Sequence, residues 1–191
     1  MHETRRLIEA ASALSGQLRS AGVPHAFHGT VLNAVLSSAT HCDEIYCIVE
    51  GGNAHPFRRV RQACVDNEDF TATPSPWSNR LHVTYHRFIP PIEIEILPAG
   101  EEGPRRLDGN TTMTISGVPF LTISEFIRAK LKAWSLRRLD RDAEDAVYAL
   151  SRYWDRVDIN RIPEQDMSEL VRQFPTAAPA WKELKKKYGM R

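Results

Sequence analysis

The sequence lacks several features that would place it in a well-marked class of proteins. It has only three cysteines among 191 residues, an odd number without the paired spacing of a zinc site, so no disulfide framework is predicted. No apolar run approaches the roughly 18 residues that a membrane-spanning helix needs. The first residues, Met1 to Arg6, are mixed and polar, so we expect no secretion signal. Internal repeats and low-complexity stretches are also missing. Together these absences exclude membrane-spanning, disulfide-rich and repeat proteins.

The charges are balanced, which removes another common clue to function. Lysine and arginine number 25, aspartate and glutamate number 24, and the formal net charge is +1. Such a chain has no overall basic charge, so the sequence does not predict a nucleic-acid partner. Apolar residues make up 42% and charged residues 26%, as in a folded globular domain. Free thiols suit a reducing compartment, so we expect a cytoplasmic protein without a membrane partner. The oligomeric state stays open.

Hydrophobic spacing predicts an α/β region followed by a helical segment. Residues 3–20 carry apolar side chains at helical spacing, and Gly22 with Pro24 ends that pattern. Strands are predicted where β-forming residues alternate or cluster, over residues 25–28, 44–49, 70–73, 80–88, 92–97 and 111–116. From about residue 122 the pattern is helical. We therefore predict a mixed α/β core over residues 1–120 and a C-terminal helical segment over residues 121–191, in one compact unit.

The clearest predicted strand carries two acidic side chains on one face. In Ile92-Glu93-Ile94-Glu95-Ile96 the isoleucines alternate with the glutamates, so Glu93 and Glu95 point to the same side, roughly 6–7 Å apart. Glu44 begins another predicted strand, on which it shares a face with Tyr46. If the two strands are neighbours, three carboxylates converge, and such clusters hold Mg²⁺ beside a nucleotide phosphate. The alternative is an antiparallel strand with one solvated face.

Taken in order, these motifs resemble those of nucleotidyltransferase-fold proteins, in the group that includes toxin-like and small fungal members. Phe27-His28-Gly29-Thr30 stands where the family has a strand that ends in two small residues. Glu44-Ile45-Tyr46 stands at the family's paired acids, and Glu95 at the third acid. A helical signature matches residues 126–145. The resemblance covers about residues 5–155 and implies a short mixed sheet flanked by helices, with the C-terminal helical segment closing one side of a cleft.

The chain departs from the family's pattern at the residues that would bind the metal. Thr30 replaces the second glycine and brings a branched Cβ to a turn that phosphate should approach closely. Glu44 replaces the first catalytic aspartate and Tyr46 replaces the second. A neutral phenol is a poor ligand for Mg²⁺. The resemblance therefore implies this fold with a degraded metal site, and we predict no metal and no cofactor unless the family's activity is retained.

The candidate site residues fall into two groups. The catalytic candidates are the acids, the phenol and a histidine beside the glycine turn, namely Tyr46, Glu44, Glu95, Glu93 and His28. The candidates for substrate contact are Thr30, His82, His86, Lys130, Trp134 and Arg137. His82 and His86 share a predicted strand face, and the last three residues lie along one helical stripe. The alternative roles are structural: hydrogen-bonded histidines, a solvated face for the basic residues and helix packing for Trp134.

Three functions are compatible with these residues, and the sequence favours the first. In this first function, the cleft binds or transforms a small, largely apolar organic molecule without a metal, for example as a cyclase or pericyclase of fungal specialised metabolism, and Tyr46 supplies aromatic surface. In the second, a residual Mg²⁺-dependent enzyme transfers a nucleotidyl group to a hydroxyl of a protein, an RNA or a small molecule. In the third, the chain is a non-catalytic binding partner.

Overall fold

The computed structural model describes residues 2–37, 45–76, 79–101 and 103–191. The chain divides into two compact units, Met1–Leu121 and Thr122–Arg191. Over the described residues, the first unit combines a sheet with helices, whereas the second consists of helices. The mixed α/β fold class predicted from the sequence is therefore confirmed.

The first unit is organised by one sheet, in which seven strands fall within the described residues. They are β1 (His25–His28), β2 (Tyr46–Val49), β3 (Phe70–Pro74), β4 (Leu81–Tyr85), β5 (Ile92–Pro98), β6 (Thr112–Ile115) and β7 (Val118–Leu121). Their order across the sheet is β3-β4-β5-β2-β1-β7-β6. The β2–β5 and β1–β7 pairs are parallel, and the other neighbours are antiparallel. β2 therefore lies at the centre of the sheet, between β1 and β5.

Helices pack against one face of this sheet. The first unit contains α1 (His2–Ser20), α2 (Thr30–Ser37) and α3 (Pro56–Cys64). The apolar side chains of α1 lie on one stripe and are buried, namely Leu7, Ala11, Leu14 and Leu18. Oγ of Ser15, also on α1, lies 2.7 Å from Nε2 of His25 in β1, which identifies the face that α1 covers. Gly22 ends the helix with a φ of 68°, a conformation that favours glycine.

The opposite face of the sheet is apolar at one end and polar at the other. At the apolar end Ala26, Ile48, Leu97 and Leu121 form a buried cluster, and Ala99 and Leu107 pack against it. Gly103 approaches the cluster so closely that an added Cβ would fall 2.5 Å from Cδ1 of Ile48. Tyr46 is half-buried and borders this cluster, so the polar end of the face begins at Tyr46.

Some predicted strands differ from the observed strands at their ends. The strand predicted over residues 80–88 ends at Tyr85, because the His86 N–H donates to the carbonyl of Asp69 and the chain then turns. The sequence predicts no strand at β7, where Pro119 lacks a backbone donor and the whole strand is only four residues long. The strand predicted over residues 44–49 is observed from Tyr46, while Glu44 lies outside the described residues.

A two-residue turn joins β6 to β7, and its backbone conformation predicts that adding a methyl group to its glycine lowers the stability of the protein. Ser116 and Gly117 have φ values of 51° and 78°, as in a type I′ turn. We expect Gly117→Ala to lower the free energy of unfolding by about 1–2 kcal/mol, because this conformation strains residues with a Cβ. Gly109→Ala is the matched control, since neither added Cβ meets a heavy atom within 4 Å and only Gly117 has a positive φ. Equal losses in urea unfolding would contradict the backbone explanation.

The second unit contains α4 (Ile123–Arg137), α5 (Asp140–Tyr153), α6 (Glu164–Gln173) and α7 (Ala178–Lys187). Oγ1 of Thr122 caps α4 by accepting a hydrogen bond of 3.3 Å from the N–H of Glu125. The Glu125 carboxylate is buried and lies 2.8 Å from Nη1 of Arg161, so its charge is paired. Arg138 ends α4 with a φ of 54°, and its guanidinium lies 4.6 Å from the Trp134 ring centroid.

Candidate functional site

Four neighbouring strands bring polar side chains into one row across the sheet. His28 on β1 is paired with Tyr46 on β2, Tyr46 with Glu95 on β5, and Glu95 with His82 on β4. Directly paired residues point to the same face, and neighbouring strands are about 4.8 Å apart, so the row is roughly 14 Å long. We call these four residues the cross-strand row.

The aromatic end of the cross-strand row is formed by His28 and Tyr46. Their ring centroids are 6.1 Å apart and the ring planes meet at 32°. The His28 ring is buried, whereas Tyr46 is half-buried. Gly29 follows with a φ of 102°, and α2 begins at Thr30, so the glycine turn predicted from the sequence lies directly beside this end of the row. Of the two rings, that of Tyr46 is therefore the more accessible.

The other end of the row carries charges at short distances. Oε2 of Glu95 lies 3.4 Å from Nη1 of Arg80, and Oε1 lies 3.9 Å from Nε2 of His82. Nδ1 of His82 lies 2.6 Å from Oε1 of Glu93. The Arg80 guanidinium is also 6.0 Å from the Tyr46 ring centroid. We call Arg80, His82, Glu93 and Glu95 the charged cluster. Both carboxylate oxygens of Glu95 therefore face basic side chains of the protein itself.

The described residues of this site do not fit a magnesium ion. Magnesium takes a near-octahedral set of oxygen ligands and usually one or two carboxylates. Directly opposite Glu95, the chain supplies the neutral phenol of Tyr46, and Arg80 lies against a Glu95 oxygen. Over residues 2–37, 45–76, 79–101 and 103–191, no group of three or more His, Cys, Asp or Glu side chains is placed to hold a metal ion.

The structure brings together five of the candidates predicted from the sequence and separates others from them. His28, Tyr46, Glu95, His82 and Glu93 lie on one face of the sheet, and Thr30 follows the glycine turn beside His28. His86 lies beyond the end of β4, is exposed, and its Nε2 is 2.7 Å from Oγ1 of Thr71. Thr71 is paired with Thr84, which shares the face of His82, so His86 lies beside that face just after the strand ends, and its contact with a substrate stays a prediction.

The three candidates predicted on one helical stripe belong to the second unit. Trp134 is 2% exposed and makes an edge-to-face contact with Phe174 at 6.3 Å between centroids. Nζ of Lys130, which is also buried, lies 3.0 Å from Oδ2 of Asp145. Arg137 donates to both oxygens of Asp142. These contacts give all three a structural role within the unit, and their contact with a substrate stays a prediction.

Arg80 is a site residue that the sequence did not predict. It begins the strand predicted over residues 80–88 and lies just before the observed β4, at a position that alternation alone does not connect to Glu95. One signal was available, since Arg80 stands two positions before His82 and side chains two apart in extended chain share a face. Its contact with Glu95, however, depends on the pairing of β4 with β5, which sequence spacing alone does not define.

Other titratable side chains of the first unit are buried for structural reasons. Burial raises the pKa of the Cys64 thiol to about 11 and raises the pKa of Cys47 further, so both thiols are protonated near neutral pH and poor nucleophiles. His25 lies at a shallow groove of about 350 Å³ that is also lined by Arg19, Val23, Pro24 and Leu107. No residue of the cross-strand row lines that groove, so it is separate from the candidate site.

Comparison with solved structures identifies the fold. An antigenic nucleotidyltransferase-like protein from the fungus Paracoccidioides brasiliensis matches with a TM-score of 0.69 and 18% identity, covering 93% of each chain. The chain has a nucleotidyltransferase-like fold. A candidate nucleotidyltransferase from H. pylori also matches, with a TM-score of 0.56 and 13% identity over 96% of this chain and 82% of that one. No protein-family model and no curated protein matches the sequence.

The nucleotidyltransferase-like fold confirms the family resemblance inferred from the order of the motifs, including a fungal structural neighbour. At these identities the likeness concerns the fold, so activity has to be argued from the site itself. A separate observation concerns membranes: none of the helices that the structure describes is long and apolar enough to cross a bilayer.

Proposed function

We propose that this nucleotidyltransferase-like protein binds and transforms a small organic molecule without a metal ion. The ligand has a largely apolar, ring-containing body that lies over the aromatic end of the cross-strand row, with a polar group directed toward the charged cluster. A cyclisation or elimination that needs proton transfer but no metal is the reaction type that suits such a site. The metal site of the fold is, in this proposal, degraded.

The observation that carries the proposal is the position of Arg80 beside Glu95. Its guanidinium is a permanent positive charge, and its Nη1 lies 3.4 Å from a carboxylate oxygen of Glu95. A divalent cation at the same carboxylate would be repelled by the positive charge of Arg80. Several negatively charged ligands would be needed to offset this repulsion. The protein therefore supplies with its own side chain the positive charge that a metal ion would otherwise contribute.

The surroundings of Tyr46 support an apolar ligand. Tyr46 borders the buried cluster of Ala26, Ile48, Leu97 and Leu121, and its ring is close to that of His28. An aromatic ring placed against such a surface gains both burial and ring contact, and the ring contact alone contributes roughly 0.5–1.5 kcal/mol. A nucleoside triphosphate would instead bring several negative charges to a face that already carries Glu93 and Glu95.

Residual Mg²⁺-dependent nucleotidyl transfer is the second candidate, and the substitution Tyr46→Asp separates the two functions. The fold and the adjacent Glu93 and Glu95 favour this candidate. If it holds, Tyr46→Asp completes an acidic pair opposite Glu95, and Mg·ATP should bind more tightly and raise the melting temperature. If the metal-independent function holds, the new carboxylate adds like charge and removes aromatic surface, so ligand binding weakens and Mg·ATP gains nothing.

We expect titration calorimetry to give a dissociation constant of millimolar order or weaker for Mg·ATP in both the wild type and Tyr46→Asp. A millimolar constant corresponds to a binding free energy of about −4 kcal/mol. Tyr148→Asp, at an exposed tyrosine of the second unit, is the matched control for introducing the charge. Neutral aromatic fragments such as indole and 2-naphthol should shift the NMR signals of Tyr46 and His28 equally with and without EDTA. Micromolar Mg·ATP affinity, or fragment binding that EDTA abolishes, would refute the metal-independent function.

A further inference from the structure

A groove of about 350 Å³ lies beside the loop that leads from α1 into β1, within the first unit. Part of its wall is apolar and is formed by Val23, Pro24, Leu107 and Pro119. We call it the Arg19 groove, after the arginine in its lining. The volume is at the lower end of the range for small-molecule sites, so the groove suits a compact ligand with an apolar body.

The guanidinium of Arg19 is held at this groove and keeps most of its donors available. Its Nη2 donates to the carbonyl of Gly117 at 3.2 Å, which anchors the side chain to the turn between β6 and β7. A guanidinium has five N–H donors, and within the described part of the chain Arg19 uses one of them in this way. Among the described residues that line the groove there is no aspartate or glutamate. The groove therefore offers a positive charge without a negative side chain beside it.

Two further charged side chains lie behind the groove and have opposite signs. Oε1 of Glu50 accepts a hydrogen bond of 3.0 Å from the N–H of Leu107, and the N–H of Glu50 donates to the carbonyl of Pro24. Nη2 of Arg59 donates to the carbonyl of Gly22 at 3.1 Å. Neither Glu50 nor Arg59 lines the groove. Their opposite charges offset each other, which leaves Arg19 as the charge within the lining.

His25, which also lines the groove, responds to the charge of Arg19. Both ring nitrogens are already occupied, because Nδ1 lies 2.8 Å from the carbonyl of Val23 and Nε2 lies 2.7 Å from Oγ of Ser15. His25 is therefore not itself a ligand-binding group. Burial lowers its pKa, the Val23 carbonyl opposes this shift, and the Arg19 guanidinium lowers the pKa further. An anion bound at Arg19 would offset that last effect, so His25 is a built-in probe of the groove.

We propose that the Arg19 groove is a second ligand site, which binds a small monocarboxylate with a compact apolar body. The guanidinium of Arg19 binds the carboxylate, since two of its N–H groups match the two carboxylate oxygens. The apolar wall at Val23, Pro24, Leu107 and Pro119 contacts the hydrocarbon body. A single cation balances one negative charge, so a monoanion suits the groove better than phosphate does. This site lies outside the cross-strand row and does not depend on the function proposed above.

A matched pair of ligands tests the recognition of the carboxylate. We would titrate the full chain with cyclohexanecarboxylate and with the neutral cyclohexanecarboxamide, and follow the backbone NMR signals of Val23 and Leu107. The acid should bind with a dissociation constant of about millimolar order, and roughly tenfold or more tighter than the amide. Inorganic phosphate at equal ionic strength should bind more weakly than the acid, because it has no apolar body.

Variants of Arg19 connect this preference to one side chain. Arg19→Gln should abolish the preference for the acid over the amide, because the charge is lost. Arg19→Lys should retain part of it, since lysine keeps the charge but not the planar pair of donors. Arg61→Gln, at an exposed arginine of α3 that does not line the groove, is the matched control and should bind both ligands as the wild type does.

The ring-proton NMR signals of His25 give a readout that binding elsewhere on the surface would not move. Saturation with cyclohexanecarboxylate should raise the pKa of His25, because the carboxylate offsets the field of Arg19. By reciprocity, the acid should bind more tightly as the pH falls from about 7.5 to about 5.5, since a protonated His25 adds positive charge near the carboxylate. In ligand-free Arg19→Gln the pKa of His25 should already be higher than in the wild type.

Three results would overturn the second site. They are equal binding of the acid and the amide, undiminished binding of the acid to Arg19→Gln, and a pKa of His25 that stays unchanged when the acid saturates the protein. Failure of the acid to shift the Val23 and Leu107 signals overturns it as well, and phosphate binding as tight as that of the acid overturns the choice of an apolar ligand. None of these results bears on the proposed function, which is read from the signals of Tyr46 and His28.

Discussion

Asp142→Asn is expected to lower the free energy of unfolding by about 3 kcal/mol, because it removes one charge from a buried ion network. Asp142 is fully buried, accepts two hydrogen bonds from Nη2 of Arg137, and lies 3.9 Å from Nζ of Lys130. Asparagine keeps the volume but leaves the buried Lys130 with less compensating charge. Asp145 stays 3.0 Å from Nζ, which places the expected loss at the lower end for broken buried pairs.

The matched control for this effect is Asp140→Asn, in the first turn of the same helix. Asp140 is exposed, so the same chemical change there should cost less than about 1 kcal/mol, mainly through weaker interaction with the helix dipole. Urea unfolding of the full chain measures both variants. A loss at Asp142 no larger than that at Asp140 would show that the network does not stabilise the second unit.

The second expected effect is a loss of stability below pH 6.5 that depends on His25. His25 is buried, its Nδ1 lies 2.8 Å from the carbonyl of Val23, and its Nε2 lies 2.7 Å from Oγ of Ser15. Because a carbonyl only accepts, Nδ1 carries the hydrogen and Nε2 accepts from the serine hydroxyl. Burial lowers the pKa of His25 below its ordinary value of 6.5; the Val23 carbonyl opposes this shift and the Arg19 guanidinium adds to it.

The sign follows from the protons that each state binds. As the pH falls below 6.5, His25 of the unfolded chain takes up a proton before His25 of the folded protein does, so the unfolded state is favoured. The loss reaches at most about 1.4 kcal/mol per pH unit and ends below the lowered pKa of the folded state. Above pH 6.5, His25 contributes no further pH dependence to the free energy of unfolding.

Unfolding free energies of the wild type and His25→Asn measured between pH 5 and pH 8 isolate the contribution of His25. The difference between the two proteins should be constant above pH 6.5 and should shrink as the pH falls. A wild-type-minus-His25→Asn difference that does not change with pH would contradict the linkage.

The sequence predicts the fold better than it predicts the surroundings of individual site residues. Strict alternation in Ile92–Ile96 and the glycine turn at Gly29 are local signals, and both β5 and the start of α2 appear where they predict. The order of these signals along the chain was enough to indicate a nucleotidyltransferase-like fold. The pairing of Tyr46 with Glu95 is consistent with that resemblance, although Glu44, at the position of the family's first acid, lies outside the described residues.

Other features were beyond local patterns for identifiable physical reasons. A stripe of Lys130, Trp134 and Arg137 has the same helical spacing whether it faces a cleft or a core, and only the partners Asp142, Asp145 and Phe174 distinguish the two. The contact of Arg80 with Glu95 requires β4 to pair with β5 in one particular register. Spacing within one segment contains no information about such contacts between segments.

The placement of β2 at the centre of the sheet also has a kinetic consequence. Its neighbours come from separate parts of the first unit's sequence: β1 precedes it, whereas β5 follows after α3, β3 and β4, and β1 in turn pairs with the more distant β7. Contacts between such remote segments close large loops and slow the search for the native state. No early hairpin or single helix contains the Tyr46–Glu95 pair, so we expect the fluorescence or NMR signals of Tyr46 to reach native values only in the last folding phase of this unit.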